Sequence, residues 1–97
     1  MQGTASEKAD VRLSIETQDF FTLNDELIAF SPTKGEYFGI DGAAKVVFSL
    51  IAEAQSPLTE QEIVNRIGAG HTLTAAEMSM VQDAVRLLLE LGVLNEK

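Results

Sequence analysis

The sequence predicts an α+β domain in which a three-stranded antiparallel sheet is followed by three helices. Strand-like runs divided by turn residues fill the first half, two capping boxes mark helix starts in the second, and an apolar strand runs straight into a helix start within residues 34–51. Phe20-Phe21-Thr22-Leu23 and Leu27-Ile28-Ala29-Phe30 flank the turn-prone Asn24-Asp25-Glu26, which predicts a hairpin. Pro32-Thr33-Lys34-Gly35 makes a second turn into Glu36-Tyr37-Phe38-Gly39-Ile40, whose aromatic and β-branched residues suit a pleated surface. Val11, Leu13 and Ile15 alternate with polar residues and either extend the first strand or form a separate one. Asp41 ends the third strand and starts a helix, because its carboxylate can accept from the first-turn N–H groups and suits the positive end of the helix dipole.

The first helix, from 41 to about 54, presents Ala44, Val47, Phe48 and Ile51 at helical spacing, and Pro57 closes it. Leu58-Thr59-Glu60-Gln61-Glu62-Ile63 and Leu73-Thr74-Ala75-Ala76-Glu77-Met78 each place a threonine three residues before a glutamate, the pattern of a capping box. The flanking pairs Leu58 with Ile63 and Leu73 with Met78 occupy the hydrophobic-staple positions. A short second helix uses Ile63, Val64 and Ile67 as its apolar face and stops at Gly68-Ala69-Gly70. The third runs from about 75 to 91. Val81, Ala84, Val85 and Leu88 form one stripe, with Met80, Leu87 and Leu91 widening it on one side and Met78 and Leu89 on the other. The arc spans roughly 200°, whereas a surface helix needs a stripe only somewhat wider than 100°, so part of it is expected to line a groove unless strands and another helix cover both flanks.

At 97 residues the chain is expected to hold one modest core and no internal repeat. Residues 1–18 read as a polar, partly flexible segment with a possible strand at 11–15, and 19–95 as the domain proper. No apolar run nears the roughly 18 residues of a membrane span, and the polar start lacks a secretory signal, so a soluble cytoplasmic protein is expected. The chain has no cysteine, which excludes a disulfide framework, a thiol nucleophile and a cysteine-based zinc site. Seven basic against fifteen acidic residues give a net charge of −8, which repels nucleic acid and anionic membranes. The acidic residues fall in short pairs such as Asp25-Glu26, as on a solvated surface; they can also steer a basic partner.

Enzyme constellations fail one by one. His71 is the only histidine and lies between a Gly-rich turn and a helix cap, and no His-Glu-x-x-His motif is present. No glycine pattern cradles phosphate, so no nucleotide cofactor is expected, and no metal either. The caps already account for Asp41 and Glu62 as candidate acid–base carboxylates. An acyl carrier would need a serine at a helix start after an aspartate, but Gly42 follows Asp41 and the next serine is Ser49. A DNA-reading third helix would need a basic face, and this one carries only Arg86 among Glu77, Asp83 and Glu90.

Taken in order, the hairpin, Gly35-Glu36-Tyr37-Phe38-Gly39-Ile40-Asp41-Gly42-Ala43, Leu58-Thr59-Glu60-Gln61-Glu62-Ile63-Val64 and Leu88-Leu89-Glu90-Leu91-Gly92-Val93-Leu94 resemble the PqqD-like family of recognition elements for ribosomally made, post-translationally modified peptides. The likeness covers roughly residues 20–94, and the Gly-x-Tyr-aromatic-Gly-aliphatic-Asp stretch is most similar to the stand-alone recognition proteins of split lasso-peptide systems. The resemblance implies a winged-helix-like, non-enzymatic domain that captures a leader peptide as an extra strand on its third strand, with side chains entering a cleft beside the third helix. Carried onto this chain, the implied peptide-binding residues are Glu36, Tyr37, Phe38, Gly39 and Ile40 on the strand and Met80, Ala84 and Leu87 on the helix, with Asp83 at the rim. Met78 and Leu89 are the alternative flank. Gly39 is expected to leave an open spot beside Tyr37, although a bulge would account for it equally well. Phe48 stands where many relatives carry tryptophan. The implied partners are a precursor leader peptide and a separate cysteine protease or other maturation enzyme, with no nucleic acid or membrane. The alternatives are an adaptor or regulator binding a folded protein, or a recognition chaperone for a radical-enzyme system.

Overall fold

The structure is a computed structural model that describes residues 11–69 and 72–96. Of the polar segment 1–18, expected to be partly flexible, residues 1–10 lie outside the described residues, as do Gly70, His71 and Lys97. In chain order the elements are β1 (Arg12–Ile15), β2 (Phe20–Leu23), β3 (Glu26–Ser31), β4 (Glu36–Ile40), α1 (Gly42–Ala54), β5 (Leu58–Thr59), α2 (Glu60–Gly68), α3 (Ala75–Leu91) and β6 (Leu94–Glu96). Strands β2, β3 and β4 form the expected antiparallel sheet. The possible strand at 11–15 forms as a separate one, β1, which centres a second antiparallel sheet between β5 and β6. The α+β class stands, with two three-stranded sheets where one was expected.

The turns follow from their residues. Asn24 and Asp25 take φ of 52° and 68°, as the tight I′ hairpin turn requires, and leave Leu23 opposite Glu26. The second turn is closed by the Gly35 N–H donating to the Ser31 carbonyl at 2.7 Å and the Lys34 N–H donating to Ser31 Oγ at 3.1 Å. Ser31 is fully buried, and these bonds satisfy it.

Asp41 sits at the N-cap of α1, but its side chain makes no cap bond. The chain enters the helix through Gly42 at φ 61°, so the first turn is not offered to the carboxylate in the usual way. The expected carboxylate cap is absent, and only the Asp41 carbonyl engages, accepting the Lys45 N–H at 3.3 Å. Both threonine caps form in full. Thr59 Oγ1 and Thr74 Oγ1 each accept the N–H of the glutamate three residues on at 3.1 Å, and each glutamate carboxylate accepts the threonine N–H in return. Ala69, at φ 41°, terminates α2, and Gly92, at φ 83°, terminates α3.

One core joins every layer. Leu27, Ala29 and Ile40 from the first sheet, the α1 stripe Ala44, Val47, Phe48 and Ile51, Ile63 of α2, and Val81, Ala84, Val85 and Leu88 of α3 meet Leu13, Leu58, Val93 and Leu94 beside the second sheet. Phe20 meets Phe48 edge to face, with ring centroids 5.0 Å apart.

The α2 cap carries a pH signature. The hydrogen bond from the Thr59 N–H, aided by Arg12 whose guanidinium lies 3.2 Å away, holds the Glu62 carboxyl below the usual carboxylate range. A lowered folded-state pKa means stability that is present above the unfolded pKa and lost as pH falls through the folded one. Thr59→Ala is expected to cost about 1 kcal/mol at neutral pH. Glu62→Gln keeps a capping acceptor but removes the charge, so its deficit relative to the parent narrows as the solution is acidified. Urea denaturation of the pair at pH 7 and at pH 3 reads this directly, and a deficit independent of pH contradicts it.

Candidate functional site

Strand β4 pairs with β3 on one side and, among the described residues, with nothing on the other. The ladder fixes which of its groups are free. The Phe30 N–H donates to the Asp19 carbonyl at 2.9 Å, so the main-chain polar groups of Phe30 point toward the β2 side. Alternate residues of a strand direct these groups to opposite neighbours, so Ile28 also faces β2 while Leu27, Ala29 and Ser31 face β4. Their partners in register, Ile40, Phe38 and Glu36, complete the internal ladder. Tyr37 and Gly39, opposite Phe30 and Ile28, therefore turn their N–H and C=O groups to the open edge. An open edge of this kind is a template for a further strand.

Helix α3 is held to the segments on either side of β4. At its end, Gly92 approaches the turn into β4 so closely that a Cβ would stand 2.7 Å from Ser31 Oγ and 3.0 Å from Thr33 Cβ. Near its start, Glu77, Met80 and Val81 line an apolar cavity of about 240 Å³ with Ala43 and Val46 of α1, the helix that follows β4 after a single residue. The two flanks of α3 differ. Met80 and Leu87, seven residues apart on one line, are 57% and 46% exposed. Met78 and Leu89 on the other flank are half-buried, and Leu89 borders a second cavity with Thr33, Leu94 and Asn95 on the β6 side.

The remaining sequence-predicted positions fall around these two features. Glu36 is exposed at the head of β4, Phe38 is half-buried on the inner sheet face, and Ile40 and Ala84 belong to the core. Asp83 is exposed and pairs with Arg86 at 3.3 Å. The spot beside Gly39 is not open. A Cβ there would collide with the Glu26 carboxylate, which reaches across from β3 on the outer face. The vacancy expected from the missing side chain is filled by the flexible tip of a cross-strand neighbour, a contact set by register.

Sequence reasoning missed the neighbours of Tyr37. Its hydroxyl donates to Asp19 Oδ2 at 2.6 Å, and its ring lies edge-on to Phe30 and Phe21, with centroids 5.1 and 6.2 Å away. The hydrogen bond to Asp19, together with partial desolvation and the aspartate charge, raises the phenol pKa above its ordinary value. Once the hairpin register is known, Asp19, Phe30 and Tyr37 fall in one cross-strand row, which is the signal that finds them. Among the described residues no group of three or more His, Cys, Asp or Glu could hold a metal ion, and no helix is long and apolar enough to cross a membrane.

No family model matches the chain, and no curated protein matches it. Among solved structures it is similar to TbiB1 in complex with the TbiA(beta) leader peptide, with a TM-score of 0.61 and 24% sequence identity over 84% of this chain and 95% of that one. At that identity the likeness establishes the fold.

Proposed function

We propose that this chain is a non-catalytic recognition protein of the PqqD-like kind, which takes up the leader of a ribosomally made precursor peptide as a strand on β4 and presents it to a separate cysteine protease. The observation that carries the reading is the open β4 edge, with the main-chain groups of Tyr37 and Gly39 facing outward, in a domain whose α3 leaves Met80 and Leu87 exposed. Strand addition gains main-chain hydrogen bonds, and pockets for alternate side chains supply specificity. In this role Glu36 to Ile40 form the docking strand, with Ile40 fixing it to the core. Phe38 meets inward-facing leader residues, Met80 and Leu87 wall the groove above Ala84, and Asp83 marks its rim. A solved structure of the same fold holding a leader peptide supports the ligand class. Holding the leader near a protease raises the effective concentration of the cleavage site without any new chemistry on this chain.

The experiment is a calorimetric titration with the leader peptide encoded beside the chain's own gene. Met80→Glu and Leu87→Glu are each expected to weaken binding tenfold or more, a loss of about 1.4 kcal/mol, because each places a charge in an apolar contact. Met78→Glu on the covered flank should change the affinity far less. The opposite ranking, in variants that keep their thermal midpoint, would move the groove to the Met78 side.

A further inference from the structure

The sheet β2–β3–β4 has a second face that the leader site does not use. Phe21, Leu23, Ile28, Phe30 and Tyr37 all project outward by register, opposite the core-facing Leu27, Ala29 and Ile40. Phe21, Leu23 and Tyr37 are 47%, 57% and 51% exposed, which is unusual for three large apolar side chains on one small sheet. On the same face stand the carboxylates of Asp19, which accepts the Tyr37 hydroxyl, and Glu26, with Asp25 exposed at the hairpin turn. Lys45 has its ammonium on the Asp25 carbonyl at the hairpin turn, and Lys34 lies in the turn between β3 and β4.

From this arrangement we infer that the outer face of β2–β3–β4 is the docking surface for a folded protein that presents an apolar element ringed by lysine or arginine; on the reading proposed above, that protein is the maturation protease. Charge selects this occupant. A second copy of the chain would set one acidic rim against another in a molecule of net charge −8, whereas a basic rim complements it and gains in encounter rate. Continuity supports it as well. Tyr37 offers its main chain to the edge and its ring to the outer face, so a protein seated there lies beside the leader strand without displacing it. Delivery requires such simultaneous contact.

The test is surface plasmon resonance of the leader-saturated chain against the cysteine protease encoded with it, with leader affinity measured separately by calorimetry. Leu23→Glu removes an exposed apolar contact and Asp25→Lys reverses a rim charge at the hairpin turn, and neither residue belongs to the leader site. Each is expected to raise the protease Kd at least tenfold and leave the leader Kd within twofold, and the parent complex should weaken between 50 and 500 mM NaCl. Unchanged protease binding in both folded variants would overturn the surface. So would self-association of the parent that Leu23→Glu abolishes, since it would give the face to a second copy. Failure of the parent to bind leader would remove the leader reading instead, while the docking surface stands or falls on the protease Kd alone.

Discussion

Gly39→Pro is expected to abolish leader binding in a chain whose helices stay folded. The register turns the Gly39 N–H to the open edge, so proline removes a donor that the added strand needs and leaves the bonds from Phe38 and Ile40 to β3 in place. Edge strands tolerate proline at such positions, and the preceding Phe38 is already extended, as a residue before proline prefers. The new ring meets the Glu26 carboxylate, which is the tip of a flexible side chain and can swing away. Loss of the bond alone costs about 0.5–1.5 kcal/mol, and the ring also blocks the approach of the neighbouring chain, so affinity falls by well over tenfold. Circular dichroism establishes the fold and calorimetry the affinity. Undiminished binding by a folded variant would rule out strand addition through this edge.

Phe48→Ala is expected to have the largest effect on stability. Phe48 has no exposed surface and packs edge to face on Phe20, joining α1 to β2 at the centre of the core. Truncating such a ring costs about 3–5 kcal/mol, against a total of roughly 5–15 kcal/mol for a domain of this size. The thermal midpoint should drop by about 15 °C or more. A drop of only a few degrees by calorimetry would mean that the neighbours close the cavity.

What could be read in the sequence was what is local in the chain. The Thr59–Glu62 and Thr74–Glu77 boxes are closed by residues three apart, and both form as read. The α1 stripe is set by helical spacing and is buried at each of its four positions. Strands β5 and β6 were not legible, because two or three residues have no periodicity, and they become strands only by pairing with β1 across the chain, as Leu58 does with Leu13. Asp41 was placed correctly at a helix start, but the missing cap bond depends on the backbone at Gly42. The site divides in the same way. The candidate residues of β4 and α3 were named from the family resemblance, while the pattern alone showed only a strand and a broad apolar arc. Which main-chain groups face the edge required the register, and the unequal cover of the two flanks, with Met80 and Leu87 exposed and Met78 and Leu89 half-buried, required the tertiary packing. The outer aromatic face and its Asp19–Tyr37 bond join residues from three strands, so no single segment announces them.

Leader capture on the β4 edge is tested most directly by amide hydrogen exchange, followed by NMR, on the chain alone and saturated with its leader peptide. The Tyr37 and Gly39 amides, free at the edge, are expected to slow markedly on binding, while those of Phe38 and Ile40, already inside the β3–β4 ladder, should change much less. No binding, or binding that leaves the Tyr37 and Gly39 amides exchanging as in the free chain, would contradict the account.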